Sequence, residues 1–313
     1  MSKLYLNIYL KNEKFSVFYP SQIQLQKSKL LKNILTNGII KQEIQKTEQN
    51  MELRKESEMF NHAAEYYDKY RPGYPQEIID SLISVTGISK GSDLLEIGCG
   101  SGKATRQFIG NEFNISGIDP GEDLVRIGNE RFKNENVIFV KGRFEEYDFG
   151  QKRFDVIYAA QSFHWVPQPI GYKKCADFLK DNGYLALFWN MYILCDNDPD
   201  KELLEISKRY GGIADFVAET ECENRIDSIV SQIVDSDLFE KPVVIRRLWE
   251  QNYTADDFYG FALTGNRFMQ NSDKNKKKAY NDIAALAEKN GGIIERPYLC
   301  VLYIAKKKSK MSI

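Results

Sequence analysis

The run Leu94-Leu95-Glu96-Ile97-Gly98-Cys99-Gly100-Ser101-Gly102 constrains this chain more than any other stretch, because it reads as a short apolar strand that runs into glycines and opens a helix. Glycine is required where a backbone must turn sharply and admit a ligand with no Cβ in the way. A dinucleotide fingerprint, G-x-G-x-x-G, would put its third glycine at position 103, which is Lys103. A phosphate loop ending at Gly102-Lys103 would need glycine at Ile97 and a hydroxyl at Ala104. Both templates fail. What remains is E-x-G-x-G-x-G, in which the N-terminus of the following helix would attract a carboxylate or another electronegative group. Asp119 stands twenty-one residues beyond Gly98, in Gly117-Ile118-Asp119-Pro120. An acid there in such a topology accepts both hydrogens of a ribose diol; the competing reading is a turn aspartate before proline.

The neighbouring pattern supports a strand–helix alternation. Helical periodicity runs from Pro75 to Val85, with Ile78, Ile79, Leu82 and Ile83 on one face and Gly87 as the stop. A strand at Asp93–Ile97, a helix at Lys103–Gly110, a strand at Asn114–Ile118 and a helix at Asp123–Phe132 follow. Strands at Val137–Val140 and Phe154–Ala160, a helix around Tyr172–Lys180 and a strand at Tyr184–Trp189 complete the alternation. Helices of this length between strands imply right-handed crossovers and a parallel sheet, an α/β fold. Beyond Asp196 the pattern is helical to Val234. Strands at Pro242–Leu248 and Tyr298–Ala305 then flank an Ala- and Lys-rich helix, Asn275–Lys289.

At 313 residues the chain has room for two average domains, or for one large α/β domain with additions. Lys and Arg (43) nearly balance Asp and Glu (44), so no basic excess exists for gripping phosphate backbones, and nucleic acid is not an expected partner. The five cysteines show no C-x-x-C spacing and read as reduced, which points to a cytoplasmic protein. His62 and His164 are the only histidines, so no metal site is expected. The strongest apolar run, Tyr184–Cys195, is too short to span a bilayer, and the N-terminus does not read as a signal peptide. The first fifty residues carry eight lysines and three glutamates, net +5, which sets a boundary near Asn50. Leu30, Leu31, Ile34 and Leu35 fall at helical spacing there. The segment reads as a loosely docked extension or as a partner or membrane-surface arm, and Met51 is an alternative start.

Two further stretches carry a resemblance. Tyr67-Asp68-Lys69-Tyr70-Arg71-Pro72-Gly73-Tyr74-Pro75 has the form Y-x-x-x-R-P-x-Y-P, and Phe154-Asp155-Val156-Ile157-Tyr158-Ala159-Ala160-Gln161-Ser162-Phe163-His164-Trp165-Val166 follows the fourth strand. With the glycine turn, they make the chain from about Phe60 to Lys307 resemble the class I S-adenosylmethionine-dependent methyltransferases, in their small-molecule subgroup. The resemblance implies a Rossmann-like seven-stranded sheet with its last strand antiparallel, helices on both faces, and S-adenosylmethionine bound across the carboxyl ends of the strands. The chain is expected to divide into a core over 51–190, a helical insertion over 191–238 whose position after the fifth strand suggests a lid, and a C-terminal part, 239–313, completing the sheet. By position, Glu96, Gly98 and Gly100 would shape the methionine pocket, Asp119 would hold the ribose, Arg143 and Phe144 would enclose adenine, and Ala160 and Gln161 would flank the reactive end. Many relatives have an acidic residue where this chain has Arg143.

Methyl transfer from a sulfonium is an in-line displacement, so alignment and exclusion of water matter more than acid–base groups. His164 reads as a general base, as a wall of the acceptor pocket, or as a hydrogen bond that orients its loop. Arg71, after the aromatic run Tyr66, Tyr67 and Tyr70, would clamp a carboxylate of donor or acceptor, or form a surface ion pair. Tyr67, Trp165, Asn190 and Tyr253 are the acceptor-side candidates, with Tyr192 and Arg267 beside them; ordinary packing and surface roles compete. Cys99 fills an x position between glycines, with no redox role. The expected function is methyl transfer to a small-molecule acceptor. The alternatives are a donor-binding module or sensor without turnover and an NAD-dependent oxidoreductase, which Lys103 disfavours.

Overall fold

The computed structural model describes residues 7–10, 13–16, 68–213 and 216–309, and the chain divides into two units, Met1–Leu53 and Arg54–Ile313. In the first unit, β1 (Asn7–Leu10) and β2 (Glu13–Ser16) pair antiparallel, Asn7 opposite Ser16. The helical spacing at Leu30–Leu35, His62 and Tyr67 lie outside the described residues.

In the second unit, α1 (Gln76–Thr86) precedes β3 (Asp93–Ile97), β4 (Asn114–Asp119), α2 (Glu122–Arg131), β5 (Val137–Lys141) and β6 (Phe154–Ala160). Then come α3 (Ile170–Phe178), β7 (Leu179–Ile193), α4 (Asp198–Tyr210), β8 (Phe216–Val217) and α5 (Glu219–Asp235). β9 (Val243–Tyr253), α6 (Ala255–Leu263), α7 (Asn266–Met269), α8 (Asp273–Lys289) and β10 (Ile294–Lys306) complete the unit. The sheet order is β5-β4-β3-β6-β7-β10-β9, with β8 pairing β7. β3 to β7 run parallel to one another, whereas β10 is antiparallel to both β7 and β9. The Rossmann-like mixed sheet is as expected, except that the two-residue β8 raises the count from seven strands to eight.

Period-two burial builds the two faces. Leu95, Ile157, Leu187 and Val301 pack with Cys175 of α3 and Ile226 of α5. Their strand neighbours Leu94, Val156, Ala186 and Leu302 pack against Ile78, Ile79 and Leu82 of α1 on the other side. A third cluster joins Leu203 of α4, Phe258 of α6 and Ile283 of α8 to Tyr253 and Tyr298 at the ends of β9 and β10. α1 stops where Gly87, at φ +67°, donates its N–H to Ile83.

One expected helix is absent. Residues 103–110 form a single 3₁₀ turn, Thr105–Phe108, followed by extended Ile109. Gly102 and Gly110, at φ +84° and +91°, bracket the segment, which is too short to repay helix nucleation. The strand expected at Tyr184–Trp189 is longer, because β10 pairs with β7 from Tyr184 to Tyr192. Among the described residues, no helix is long and apolar enough to cross a membrane.

Candidate functional site

The site begins where β3 ends. Gly98 and Cys99 both donate N–H to Ile118 of β4, at 2.8 and 3.2 Å, so the turn is stitched to the neighbouring strand. Gly98 has φ +66°, and a Cβ there would lie 2.4 Å from the Ser162 Cβ; Ser162 in turn donates its hydroxyl to the Ile97 carbonyl. Gly100 also has positive φ, +51°, but nothing lies within 4 Å of where its Cβ would be. Its N–H goes to Asp119 Oδ2 at 2.9 Å, while Asp119 Oδ1 accepts from Gly121 N at 2.8 Å. Burial pushes the Asp119 carboxyl up to about 6, against the pull of those two amides and of Arg143. The four-residue 3₁₀ turn offers no helix dipole, so the expected helix N-terminus is not part of this site.

Glu96, 2 % exposed, accepts from Thr105 and from the Tyr158 hydroxyl at 2.9 Å. Burial pushes its carboxyl up to about 8 despite these bonds, so the group holds a proton at neutral pH.

Arg71–Pro75 forms a strap pinned from several elements. Lys103 Nζ donates to Arg71 O at 2.7 Å, Asn190 Nδ2 to Gly73 O at 2.9 Å, and Gln107 Nε2 to Tyr74 O. Arg71 reaches Tyr192 OH and Thr264 O, each at 3.3 Å. Just before the strap, Asp68 accepts from both terminal nitrogens of Arg131, at 3.0 and 2.5 Å, and from Ser101 of the glycine turn. Burial raises the Asp68 pKa, but the Arg131 and Ser101 hydrogen bonds outweigh it and hold the carboxyl below its ordinary value.

Beyond β6, Gln161 sits at φ +57°, a strained setting for a residue other than glycine. Its side chain clasps Asn190, accepting from N at 3.0 Å and donating to O at 3.4 Å. The Asn190 side chain is spent on Gly73 and on the Trp249 indole, 3.1 Å away. Next, the 3₁₀ turn Phe163–Trp165 presents His164, whose Nδ1 accepts from Trp189 Nε1 at 3.3 Å. The imidazole is open to the cavity yet ringed by protein, and that burial pushes its pKa down to about 4.

These parts enclose a cavity of about 770 Å³ at the carboxyl ends of β3, β6 and β7. Among the expected residues, Arg71, Glu96, Gly98 and Gly100 line it, as do Ala160, Gln161, His164, Trp165 and Asn190, with Tyr192 and Arg267. Asp119, Arg143, Phe144 and Tyr253 do not. Phe144 is buried in the core with Lys174 over its ring, and Tyr253 bonds Tyr298 OH at 2.8 Å in the third cluster. Sequence reasoning missed Trp189 and the wall formed by Val217, Arg225, Ser228 and Ile229 of β8 and α5. It also used Lys103 only as a failed glycine. The spacing of Arg225, Ser228 and Ile229 along one side of a helix was the signal available.

The order of the sheet and the crevice at its switch point define a fold. Residues 94–183, from β3 into β7, match the family model of a methyltransferase domain. The chain carries a class I methyltransferase domain. An uncharacterized methyltransferase of Schizosaccharomyces pombe is 29% identical over 126 residues, 40% of this chain and 49% of that protein. A probable S-adenosylmethionine-dependent methyltransferase of Saccharomyces cerevisiae is 25% identical over 179 residues, 55% of this chain and 60% of that one. The chain spans about half the length of the first curated relatives it matches, 49% to 51%. A solved Escherichia coli structure, YjhP, aligns with a TM-score of 0.48 at 15% identity, over 80% of this chain and 99% of its own. The methyltransferase domain supplies the glycine turn, Glu96, Asp119 and the Gln161–Trp165 edge. The strap, α5 and α7 lie outside the matched residues.

Proposed function

We propose that the protein moves a methyl group from S-adenosylmethionine to a small-molecule acceptor. The observation that carries this reading is the cavity at the carboxyl edge, with Glu96, Gly98 and Gly100 at one end and His164 and Trp165 on another wall. Its volume of about 770 Å³ suits a small-molecule site, which spans roughly 300–1,000 Å³. The residues present fit the donor: at Gly100 the space that a Cβ would take is open, so a ligand can approach the backbone. The bound donor supplies an electrophilic methyl carbon on a positively charged sulfur.

The chain's own residues then bind and orient. Glu96, Gly98 and Gly100 shape the methionine end, and Asp119 holds the ribose from its place beside the Gly100 amide. Arg143, whose charge acts on Asp119, stands on the adenosine side. Ala160 and Gln161 flank the reacting carbon. The strap and the Trp165 wall exclude water, so that nucleophile and leaving group meet in line. Arg71, Lys103, Arg225 and Arg267 surround the cavity, against one carboxyl, Glu96, that holds its proton. Arg225 is partly neutralised by Glu221 at 2.6 Å. This balance favours an acceptor with an anionic group. Tyr192 and Trp165 supply its apolar contact, and Asn190 serves it indirectly by holding the strap and Trp249.

An acceptor screen with isotope-labelled methyl donor and mass detection tests the reading. Methyl incorporation into an anionic small molecule is the expected result. Donor binding without incorporation across a broad panel would favour the alternative of a donor-binding sensor.

A further inference from the structure

We infer that the Trp189 indole fixes His164 as the tautomer protonated at Nε2, making His164 a hydrogen-bond donor toward the acceptor and Trp189 the residue that positions it. An indole N–H donates and never accepts. With Trp189 Nε1 3.3 Å from His164 Nδ1, that ring nitrogen must therefore keep its lone pair, and the ring's proton resides on Nε2. An imidazolium would direct an N–H at the indole N–H. Both partners are held. Trp189 lies in β7 opposite Val301 and packs edge-on to Tyr303, ring centroids 5.9 Å apart. His164 sits in a 3₁₀ turn closed by Trp165 N on Ser162 O at 2.9 Å, and its ring lies 4.7 Å from the Trp165 ring.

The titratable groups around the same cavity do not compete for the imidazole. Glu96 bonds Thr105 and Tyr158, Lys103 bonds Arg71 O, Arg71 bonds Tyr192 and Thr264, and Arg225 pairs with Glu221. Among the described residues, no carboxylate or cation, Arg267 included, is bonded to His164.

The lone pair a general base would use is thus already taken, and neither Glu96 nor Lys103 replaces it. Glu96 carries its own proton and Lys103 is a donor. The acceptor therefore arrives with a free lone pair, as an oxyanion, a thiolate or an unprotonated amine. That pair forms the new bond to the methyl carbon, the carbon–sulfur pair stays on sulfur, and no proton passes to the protein in the step. The acceptor role rests on the methyl-transfer reading; the tautomer does not.

Two histidines make the test direct. Full-length protein labelled with ¹⁵N-histidine gives two ring spin systems, assigned with His62→Asn. The expected long-range ¹H–¹⁵N spectrum shows His164 bare at Nδ1 and protonated at Nε2, unchanged upward from about pH 5.5. In Trp189→Phe the ring should become a mixture of tautomers. A proton on Nδ1, or titration near the ordinary value of about 6.5, would overturn the inference, and the wild-type spectrum alone decides if Trp189→Phe fails to fold. Calorimetry with S-adenosylhomocysteine on the same sample separates the two claims. Donor binding with the wrong tautomer sinks this inference and leaves the function standing, whereas the right tautomer without donor binding does the reverse.

Discussion

Gly98 and Gly100 stand two residues apart and are required for different reasons. Both have positive φ, which costs an alanine about 1–2 kcal/mol. At Gly98 the added Cβ also meets the Ser162 Cβ at 2.4 Å, an atom fixed to the backbone; at Gly100 it meets nothing. Gly98→Ala should therefore destabilise the fold by about 3 kcal/mol or more, read by denaturant unfolding. Gly100→Ala should cost only the backbone term while blocking the donor, read as lost binding to a protein that still folds. Equal stability of the two variants would contradict this assignment. The glycine turn was legible because its information is local: Glu96, Gly98 and Gly100 are fixed by spacing within one strand and turn. Trp189 was not, because its partner His164 is 25 residues away and only the pairing of β6 with β7 brings them together. Asp68 and Arg131 were missed for the same reason, 63 residues apart. Phe144 looked like a ligand wall from its position, but an aromatic side chain in an α/β core gains more from burial than from a rim.

The wall formed by β8 and α5 depends on an ion pair that touches neither the cavity nor solvent. Arg296 in β10 is 1 % exposed; it bonds Asp200 of α4, donates to Ile193 O at 2.9 Å and lies 4.8 Å over the Phe216 ring of β8. Asp200 also accepts from Cys195 N at 2.7 Å, which ties the end of β7 to α4. Removing one partner strands a buried charge, so Asp200→Ala should cost about 3–5 kcal/mol, while Arg296→Met with Asp200→Leu should recover most of it. Urea unfolding measures both, and a loss below about 0.5 kcal/mol for Asp200→Ala would refute the pairing's importance. The sequence marked this region as helical and placed the insertion after β7, because the periodicity of α4 and α5 is plain. It did not reveal β8, since two residues carry no period. The helix expected at 103–110 failed for a related reason: its apolar positions, Ala104 and Phe108, satisfy a helical pattern, but glycines at both ends set the backbone.

At the scale of the whole unit, the sheet order β5-β4-β3-β6-β7-β10-β9 changes direction between β3 and β6, and ligands of open α/β sheets bind at that switch point. The cavity lies there, against the glycine turn of β3 and the Gln161–Trp165 edge of β6. Most of this frame was readable from alternating strands and helices, because a parallel sheet permits few topologies. The cavity's outer wall was readable only in part: Arg71, Arg267 and a lid over 191–238 were expected, but the meeting of α5, α7 and the strap is decided by tertiary packing. Calorimetric titration of the full chain with S-adenosylmethionine, S-adenosylhomocysteine and NAD tests the central claim most directly. Saturable binding of both S-adenosyl compounds, with no heat from NAD, is the predicted result; binding of NAD alone, or of none of the three, would contradict it.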